Sequence, residues 1–596
     1  MIIIFDFEVF KYNTLLGTLL VHDDNTIELK QMWNLDEIRS FYNNHLNDLW
    51  VGHNNDDYDN HILDAILHNI DPYLKSKSLI NSQFRSKANL QIYTYDLMCC
   101  RFYSLKMTEL LVGKAIHTTE VDFNLNRPLT ENEIELTNSY NKSDLEQTYH
   151  NFLELKDPML LRLRLLKEFN IDKKYLTATE ARLASIALGA KQIPNIENEL
   201  VKPKIYDTLQ VKNKDVLDFY LNEDFRQNKK LTVMLCDVEH QMGSGGIHAA
   251  RKKCHETDML YLDVSGYYNL VMINYDLLPR TIPEEGKKLY EYMYHQQLAL
   301  KGVDNDKRWV YKTILLAVFG ASMNKYTDFY DPQIGSLITI TGQMFLVDLL
   351  EKLEGKIKLI QSNTDGIIVK PLLTSSKEEV LSIVKEWCNR TGFVIKPKEI
   401  SEIWQRDVNC YCYTMPDGST DTKGDAFIGS WAIDEPVKNE FYTSKEPAII
   451  AKAILNYLVK KIPVEETINQ YKDKPLYFQY LCKKISYKYC TLETLNIATN
   501  NISVENIGDL NRAFAKKYDG NISMIYKHKD RNGKDYKTKI ANIPDNIFID
   551  NGEILSDEGI QRIKDKIDYD YYVDRAKKRI TEFFNFKQIK EINIYE

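Results

Sequence analysis

Asp6 and Glu8 lie two residues apart in the apolar stretch MIIIFDFEVF. On a strand, that spacing puts both side chains on one face. Two carboxylates on one face of an apolar strand are costly unless a cation neutralises them or the face meets solvent. A second group follows at GHNNDDYD, residues 52–59, where Asn54 and Asp59 flank Tyr58. A third lies in NSYNKSDLEQTYHNF, which reads as helix, so Tyr140 and Asp144 at i and i+4 share a face. Each piece alone is compatible with an ordinary amphipathic element. A set of oxygen ligands of this kind suits Mg²⁺ or Mn²⁺ and disfavours zinc.

Further along, Asp263 ends an apolar strand in MLYLDVSGYYNLVMI, and Asp365 sits on a predicted hairpin turn in LIQSNTDGIIV. Between them, Lys312, Leu316 and Phe319 follow i, i+4, i+7 in WVYKTILLAVFGASM and share one helix face. The order is strand carboxylate, helix lysine, hairpin carboxylate. Before it comes GSGGIHAARKK, read as a loop with three glycines. Gly245 and Gly246 offer bare amides that could approach a phosphate closely and Arg251 adds charge, or the segment is a flexible linker.

The first three pieces, in one order within about 150 residues, resemble the proofreading 3′–5′ exonuclease domain of the DEDD superfamily, in its tyrosine-containing branch. The resemblance implies metal ligation by Asp6, Glu8, Asp59 (partly through water) and Asp144. It implies that Tyr140 orients the attacking water and that Asn54 contacts the single-stranded end. The later order resembles the palm and fingers of family B DNA polymerases. DVSGYYN keeps Asp263 and Tyr268, KTILLAVFG keeps Lys312 and Gly320 with Phe319 for tyrosine, and NTDG keeps Thr364 and Asp365. QRDVNCYCYTMPDGSTDTKG resembles the region near the primer terminus, with Tyr411 and Lys423 as the carried-over residues. The departures are Asn363 for aspartate, Leu316 for asparagine, Gly266 for serine, Asn269 for proline, and Gly243 for the tyrosine of a Tyr-x-Gly-Gly motif.

What the family resemblance implies is nucleotidyl transfer with two Mg²⁺ (or Mn²⁺) ions at the polymerase site and two at the exonuclease site. Asp263, Asp365 and the Val264 carbonyl would be polymerase ligands. Lys312, Phe319 and Gly320 would meet the incoming nucleotide, and Tyr268 would lie beneath its sugar. The partners implied are primer-template DNA, single-stranded DNA and dNTPs. The implied fold class is α+β multidomain: an RNase H-like exonuclease domain, then a right-hand polymerase. That polymerase would have a palm with an antiparallel sheet, short helical fingers and a helical thumb. The expected boundaries are 1–155 exonuclease, 156–240 helical connection, 241–275 and 325–430 palm, 276–324 fingers, 431–596 thumb. The intervals of 49 positions between Asp263 and Lys312 and 45 between Gly320 and Asp365 leave no room for a large insertion. With the exonuclease starting at once, the resemblance is to a compact bacteriophage type rather than a terminal-protein-primed one.

The elements that must position these residues also follow from pattern. Residues 1–150 alternate short apolar strands with helices such as HILDAILHNI, and 151–235 show helical periodicity. EGKKLYEYMYHQQLALKG and WVYKTILLAVFGASM form a helical pair. Beyond 430 the chain is basic, Tyr-rich and expected to be mostly helical.

A chain of 596 residues, 44% hydrophobic and 27% charged, is multidomain and ordered. No apolar run approaches the roughly 20 residues of a membrane span, and the N-terminus reads as a buried strand, not a signal peptide. Nine cysteines without zinc spacing point to a reduced, cytoplasmic compartment. The net charge of -8 hides an asymmetry: residues 451–540 carry 17 Lys+Arg against 9 Asp+Glu, a local +8. A basic stretch with interleaved tyrosines suits a duplex-gripping surface, or a solvated face. The expectation is a monomeric DNA polymerase with proofreading, replicating a phage genome. The alternatives are an exonuclease with a non-synthesising polymerase domain, and a non-catalytic primer-template binder.

Overall fold

The computed structural model describes residues 1–81, 88–99, 105, 110, 113–114, 122, 124–222, 230–243, 245–428, 446–483, 490–508, 510–529, 534–585 and 588. The chain is mixed α+β and divides into two compact units. The first gathers Met1–Thr179 with Asp473–Asp568; the second gathers Glu180–Asp434, Glu446–Lys472 and Tyr569–Glu596.

In the first unit, β1 (Ile2–Val9), β2 (Thr14–Val21), β3 (Ile27–Met32), β4 (Leu49–Gly52) and β5 (Tyr93–Asp96) form a sheet of order β3-β2-β1-β4-β5. β1 is antiparallel to β2 and parallel to β4, so it is central and apolar on most positions. Phe5, Trp50, Phe41 and Tyr42 pack around it with α1 (Leu35–Asn44) and α2 (Asp59–Leu67). α3 (Pro72–Asn81) and α4 (Glu131–Glu168) complete this part. α4 starts at a capping box: the Thr130 hydroxyl accepts from the Glu133 amide, and the Glu133 carboxylate accepts from Thr130. The boundary expected at residue 155 falls inside this helix.

The second unit is built on an antiparallel sheet of nine described strands. They are β6 (Leu231–Leu235), β7 (Val238–Gly243), β8 (Gly246–Ala250), β9 (Cys254–Asp263), β10 (Ile357–Asn363), β11 (Gly366–Pro371), β12 (Lys398–Asp407), β13 (Cys410–Thr414) and β14 (Thr420–Lys423), in the order β14-β13-β12-β9-β11-β10-β8-β7-β6. The glycine-rich segment expected as a loop is therefore mostly strand, closed by the β7–β8 hairpin with Gly243 opposite Gly246. Short-range apolar alternation in GIHAA outweighs the glycines. The helices α5 (Glu180–Leu188), α6 (Lys214–Leu221), α7 (Tyr267–Asn274), α8 (Glu284–Ala299), α9 (Asn305–Ser322), α10 (Pro332–Leu353) and α11 (Lys377–Thr391) follow in chain order.

α10 corrects the expectation about apolar runs. By length and composition it could cross a membrane, yet its apolar window is wholly buried within the unit. Its polar side chains have partners there: Asp348, fully buried, accepts two hydrogen bonds from Arg390 at 2.8 and 2.9 Å and one from the Gln210 amide at 2.9 Å.

The expected helical thumb at 431–596 is also corrected. α12 (Ala448–Lys460), α13 (Val464–Gln470), α14 (Asp557–Lys564) and α15 (Tyr569–Thr581) are helices. Between α13 and α14, however, the described residues form two antiparallel sheets. One comprises β15 (Tyr480–Lys483), β18 (Leu510–Ala515) and β21 (Ile547–Ile549); the other comprises β16 (Cys490–Asn496), β17 (Ile502–Asn506), β19 (Asn521–Lys529) and β20 (Asp535–Lys539). Period-two alternation such as ISVEN and the Asp519–Gly520 turn set this structure, while the lysine run suggested a helix face. Residues 484–489 and 530–533, part of the basic stretch, lie outside the described residues. The segment does not stay together as one region either, since 473–568 belongs to the first unit and its flanks to the second. It is tied to the N-terminal part by Arg512. That arginine is fully buried and donates to the carbonyls of Leu110 (3.2 Å), Lys114 (3.3 Å) and Gly552 (2.6 Å), while the Ile554 amide donates to Gly113 at 2.9 Å.

Two candidate metal centres

In the first unit, β1 presents Asp6 and Glu8, and α4 brings Asp144 against them. Ligand oxygens of all three lie within 4.8 Å of one another. Burial is the main reason Asp6, Glu8 and Asp59 are hard to ionise. It holds Asp6 well above the carboxylate range, with Glu8, Asp59 and Asp144 adding repulsion. Glu8 is pushed up to about 8 by burial and then by Asp144. Asp59 is not part of the 4.8 Å cluster, and its Oδ1 accepts from the Phe7 amide at 3.0 Å. Burial still lifts its carboxyl to about 7. The phenol of Tyr140 is hydrogen-bonded to Asp144, and burial followed by the Asp144 charge raises it above its ordinary value. Buried carboxylates repelling one another this closely are the donor set a hard divalent cation offsets.

Two residues absent from the sequence reading hold this arrangement. Asn141, fully buried one turn before Asp144, donates Nδ2 to Asp6 Oδ2 at 3.0 Å. Room for it comes from Gly17, directly opposite Asp6 on β2: a Cβ there would stand 1.7 Å from Asn141 Oδ1. Asp96 ends β5 and accepts from the amides of Asn54 (2.9 Å), Asp56 (3.1 Å) and Met98 (2.8 Å). Asn54 is thereby held in a left-handed conformation, φ 62°. Spacing gave a hint only for Asn141, three residues from Asp144 on the same helix face.

In the second unit, β9 and β11 pair with Asp263 opposite Gly366, and the Val264 amide donates to the Asp365 carbonyl at 2.9 Å. The two aspartates are thus neighbours in space across 102 positions. Gly366 makes this approach feasible, since a Cβ would lie 3.0 Å from the Leu262 carbonyl and 3.1 Å from Asp263 Cα. Burial and then the Asp365 charge raise the Asp263 carboxyl, and Tyr261 donates to it at 3.3 Å. Two carboxylates and a neighbouring backbone carbonyl, that of Val264, are the kind of oxygen donors that fit Mg²⁺.

These residues line one side of a cavity of about 520 Å³. α9 supplies another wall, with Lys312, Leu316 and Phe319 facing it as the periodicity required. Tyr268 stacks on Phe319, ring centroids 4.3 Å apart and 28° between planes. The remaining lining holds cations that sequence reading missed: Lys301, Arg308, Lys396 and Lys398. Arg308 was findable, being one turn before Lys312 on the same face. Leu316 is 60% exposed and offers no hydrogen bond where an asparagine would. Two departures have local reasons. Gly266 caps α7 at φ 63°, and Asn269 accepts from the buried Tyr290 hydroxyl at 2.9 Å. Gly320 does not line the cavity, and nothing lies within 4 Å of a Cβ built on it.

Of the residues expected to meet DNA, several are occupied within the protein. Arg251 donates Nε to the Leu359 carbonyl at 2.7 Å. Gly246, at φ 147°, packs on Thr364, so its lack of a side chain serves that contact. Gly245 has open space around it. Tyr411 is buried in an apolar cluster with Ile360, Ile400 and Tyr413, and the cross-strand Lys423 lies over its ring at 5.9 Å. In the basic stretch, Lys537 lies 4.5 Å over the Tyr526 ring and 2.6 Å from Glu493, so one lysine–tyrosine pair there is internal.

No family model matches the chain, and no curated protein is similar to it. Among solved structures, it is similar to that of the family B DNA polymerase from the hyperthermophilic archaeon Pyrobaculum calidifontis. That match covers 98% of this chain and 78% of that chain, at 14% identity and a TM-score of 0.40, a level at which function must be argued from this chain's own residues.

Proposed function

We propose that the chain is a DNA-templated DNA polymerase that extends a primer 3′-OH with dNTPs and removes mismatched ends by 3′–5′ excision. One observation carries the reading: Asp263 and Asp365 meet at a cavity whose other walls are cations and the Tyr268–Phe319 stack. Bound divalent ions, Mg²⁺ or Mn²⁺, two at each centre, would supply the charge that makes the attacking oxygen nucleophilic and offsets the leaving oxygen. Asp263, Asp365 and the Val264 carbonyl would hold those of the polymerase centre. Lys312 and Arg308 bind the triphosphate electrostatically. Tyr268, braced by Phe319, lies under the sugar and leaves no space for a 2′-OH. At the other centre Asp6, Glu8 and Asp144 are the ligands, with Asp59 acting through water. Tyr140, kept neutral, orients the attacking water, and Asn54 meets the single-stranded end. Primer-template DNA is the partner, the protein acts as a monomer in a bacterial cytoplasm, and the genome replicated is that of a phage.

Primer extension tests this directly. Asp263→Ala and Asp365→Ala should abolish incorporation while excision continues, and Asp6→Ala with Glu8→Ala should do the reverse. Undiminished extension by either palm variant would refute the assignment. A second reading, an exonuclease with a non-synthesising polymerase domain, is favoured by Asn363, whose Oδ1 is spent on the Thr364 amide at 3.0 Å. Zero incorporation by wild-type protein with Mg²⁺ or Mn²⁺ would select it.

A further inference from the structure

The start of β12 runs beside the end of β9, on the side of Asp263 away from the Asp365 turn. Two pairings fix the alignment. Lys398 stands opposite Tyr261, and an isolated bridge beyond the strand end pairs Ile395 with Val264. The Ser265 amide donates to the Val394 carbonyl at 2.8 Å, one step further in the same register. Lys396 therefore falls directly opposite Asp263. Residues opposite one another on antiparallel strands send their side chains to the same face. Asp263 is thus flanked by Gly366, which has no side chain, and by Lys396. Pro397, between the two lysines, fixes its own φ and restricts Lys396 to extended backbone. Both ammonium groups are carried by a segment with little freedom of its own.

Opposite charges that face one another across strands ordinarily pair. Here both lysines are exposed, and among the described residues neither ammonium has an ion pair or a hydrogen bond. Lys398 Nζ lies 5.5 Å from the centre of the Tyr261 ring, and Tyr261 spends its hydroxyl on Asp263 Oδ1 at 3.3 Å. Both lysines line the same cavity as the two aspartates. Cations beside metal-ligand carboxylates, yet unpaired with them, are placed for an anion that arrives from outside. The triphosphate already has Arg308 and Lys312 on α9. The sheet face that carries Asp263 leads the other way, across β12 to β13 and β14. On it Tyr261 meets Tyr413 at 6.2 Å, Tyr413 stacks on Tyr411 at 6.3 Å, and Lys423 lies over Tyr411. A strand whose 3′ end reaches Asp263 can lie along such a face.

We propose that Lys396 and Lys398 bind the backbone phosphates nearest the primer 3′ end and so hold that end beside Asp263. This rests on the polymerase reading of the site. The contact is ionic and independent of sequence: it places the primer and reads no base.

The experiment follows binding of a fluorescein-labelled primer-template by anisotropy over a range of KCl concentrations, with a chelator present so that neither centre turns over. Each lysine that neutralises a duplex phosphate adds about 0.9 to the slope of log affinity against log salt. Lys396→Ala and Lys398→Ala should each remove about that much, and the double variant about twice as much. The double variant should bind primer-template about ten-fold more weakly, the scale of a charge-assisted contact. With Mg²⁺ restored, its KM for dNTP should stay within about two-fold of wild type, and excision of single strands should be intact. Lys396→Arg with Lys398→Arg, which keeps both charges, should restore most of the affinity. A primer whose last two linkages are uncharged methylphosphonates should bind wild type and the double variant alike. Unchanged slope and affinity in the double variant would overturn the proposal. So would a raised KM for dNTP with primer-template affinity intact, which would give the lysines to the triphosphate. A wild-type advantage that persists on the methylphosphonate primer would overturn it too, since the contact would then lie elsewhere on the DNA. Wild-type protein that incorporates nothing would sink the polymerase reading instead, and the salt slopes would still decide whether these lysines hold a primer end.

Discussion

Glu8→Gln offers a test in which losing a metal ligand stabilises the protein. Glu8 is 5% exposed, and burial with the Asp144 charge lifts its carboxyl from 4.5 to about 8. Each pKa step is worth about 1.4 kcal/mol, so the ionised form is disfavoured by roughly 5 kcal/mol in the metal-free protein. Because its neighbours share the repulsion, that figure is a ceiling. The sign follows from linkage: the folded state binds more protons than the unfolded state between about pH 4.5 and 8. This group's contribution is therefore fully present below the unfolded value and is lost as pH rises through the folded one. Urea unfolding with a chelator present should show wild-type protein weakening from about pH 5 to about pH 8.5. Glu8→Gln should resist that weakening and exceed wild type at the upper pH by several kcal/mol at most. Saturating Mg²⁺ should narrow that advantage, since the intact cluster gains about 2.7 kcal/mol at a hundred times Kd and the variant gains less. If chelated Glu8→Gln is no more stable than wild type at the upper pH, or its advantage is equal at both, the crowded-carboxylate account fails.

Gly17→Ala should press a methyl into Asn141, costing about 1–3 kcal/mol of stability and releasing Asp6. Excision should fall while extension persists, a split that activity assays on one preparation would reveal. Arg308→Ala should leave folding unchanged but reduce kcat/KM for dNTP roughly ten-fold to a hundred-fold, the worth of about 1.5–3 kcal/mol for a charge-assisted contact. Equal kcat/KM would place Arg308 outside the triphosphate path. Asp348→Ala should be among the most damaging changes far from either centre, because Arg390 loses its buried partner; denaturant titration should register about 3–5 kcal/mol.

Residues that act through local pattern could be read before the structure was known. Asp6 and Glu8 share a face because a strand has period two, and Lys312 faces Phe319 because a helix has period 3.6. The Asn-Thr-Asp-Gly turn announced the β10–β11 hairpin through its chemistry. Other residues act only across the chain. Asn141 matters because Gly17 opens a hole opposite Asp6, a pairing across the chain that spacing does not show. Arg251 and Tyr411 also have internal partners that spacing does not show. A basic or aromatic residue near a polymerase-like motif looks like a DNA contact until its hydrogen bonds or burial are known. The region after residue 473 misled differently, since lysines and tyrosines drew attention from an alternation that only strands explain.

Arg512 has a consequence for how the protein is made. The N-terminal carboxylate cluster is complete by residue 144, yet the unit that houses it is closed by an arginine nearly four hundred residues later in synthesis. A ribosome emits most of the second unit, Glu180–Asp434 and Glu446–Lys472, before the carbonyls of Leu110 and Lys114 can meet their donor. Until then the acidic strand belongs to an unfinished body, and closing it requires a contact of very large sequence separation, which is slow. A chain cut after residue 179 would carry both halves of the Asp6–Asn141 pair but neither Arg512 nor the Ile554 amide. Such a fragment should open more readily at Leu110, Gly113 and Lys114 than the full chain does, which amide hydrogen exchange would register.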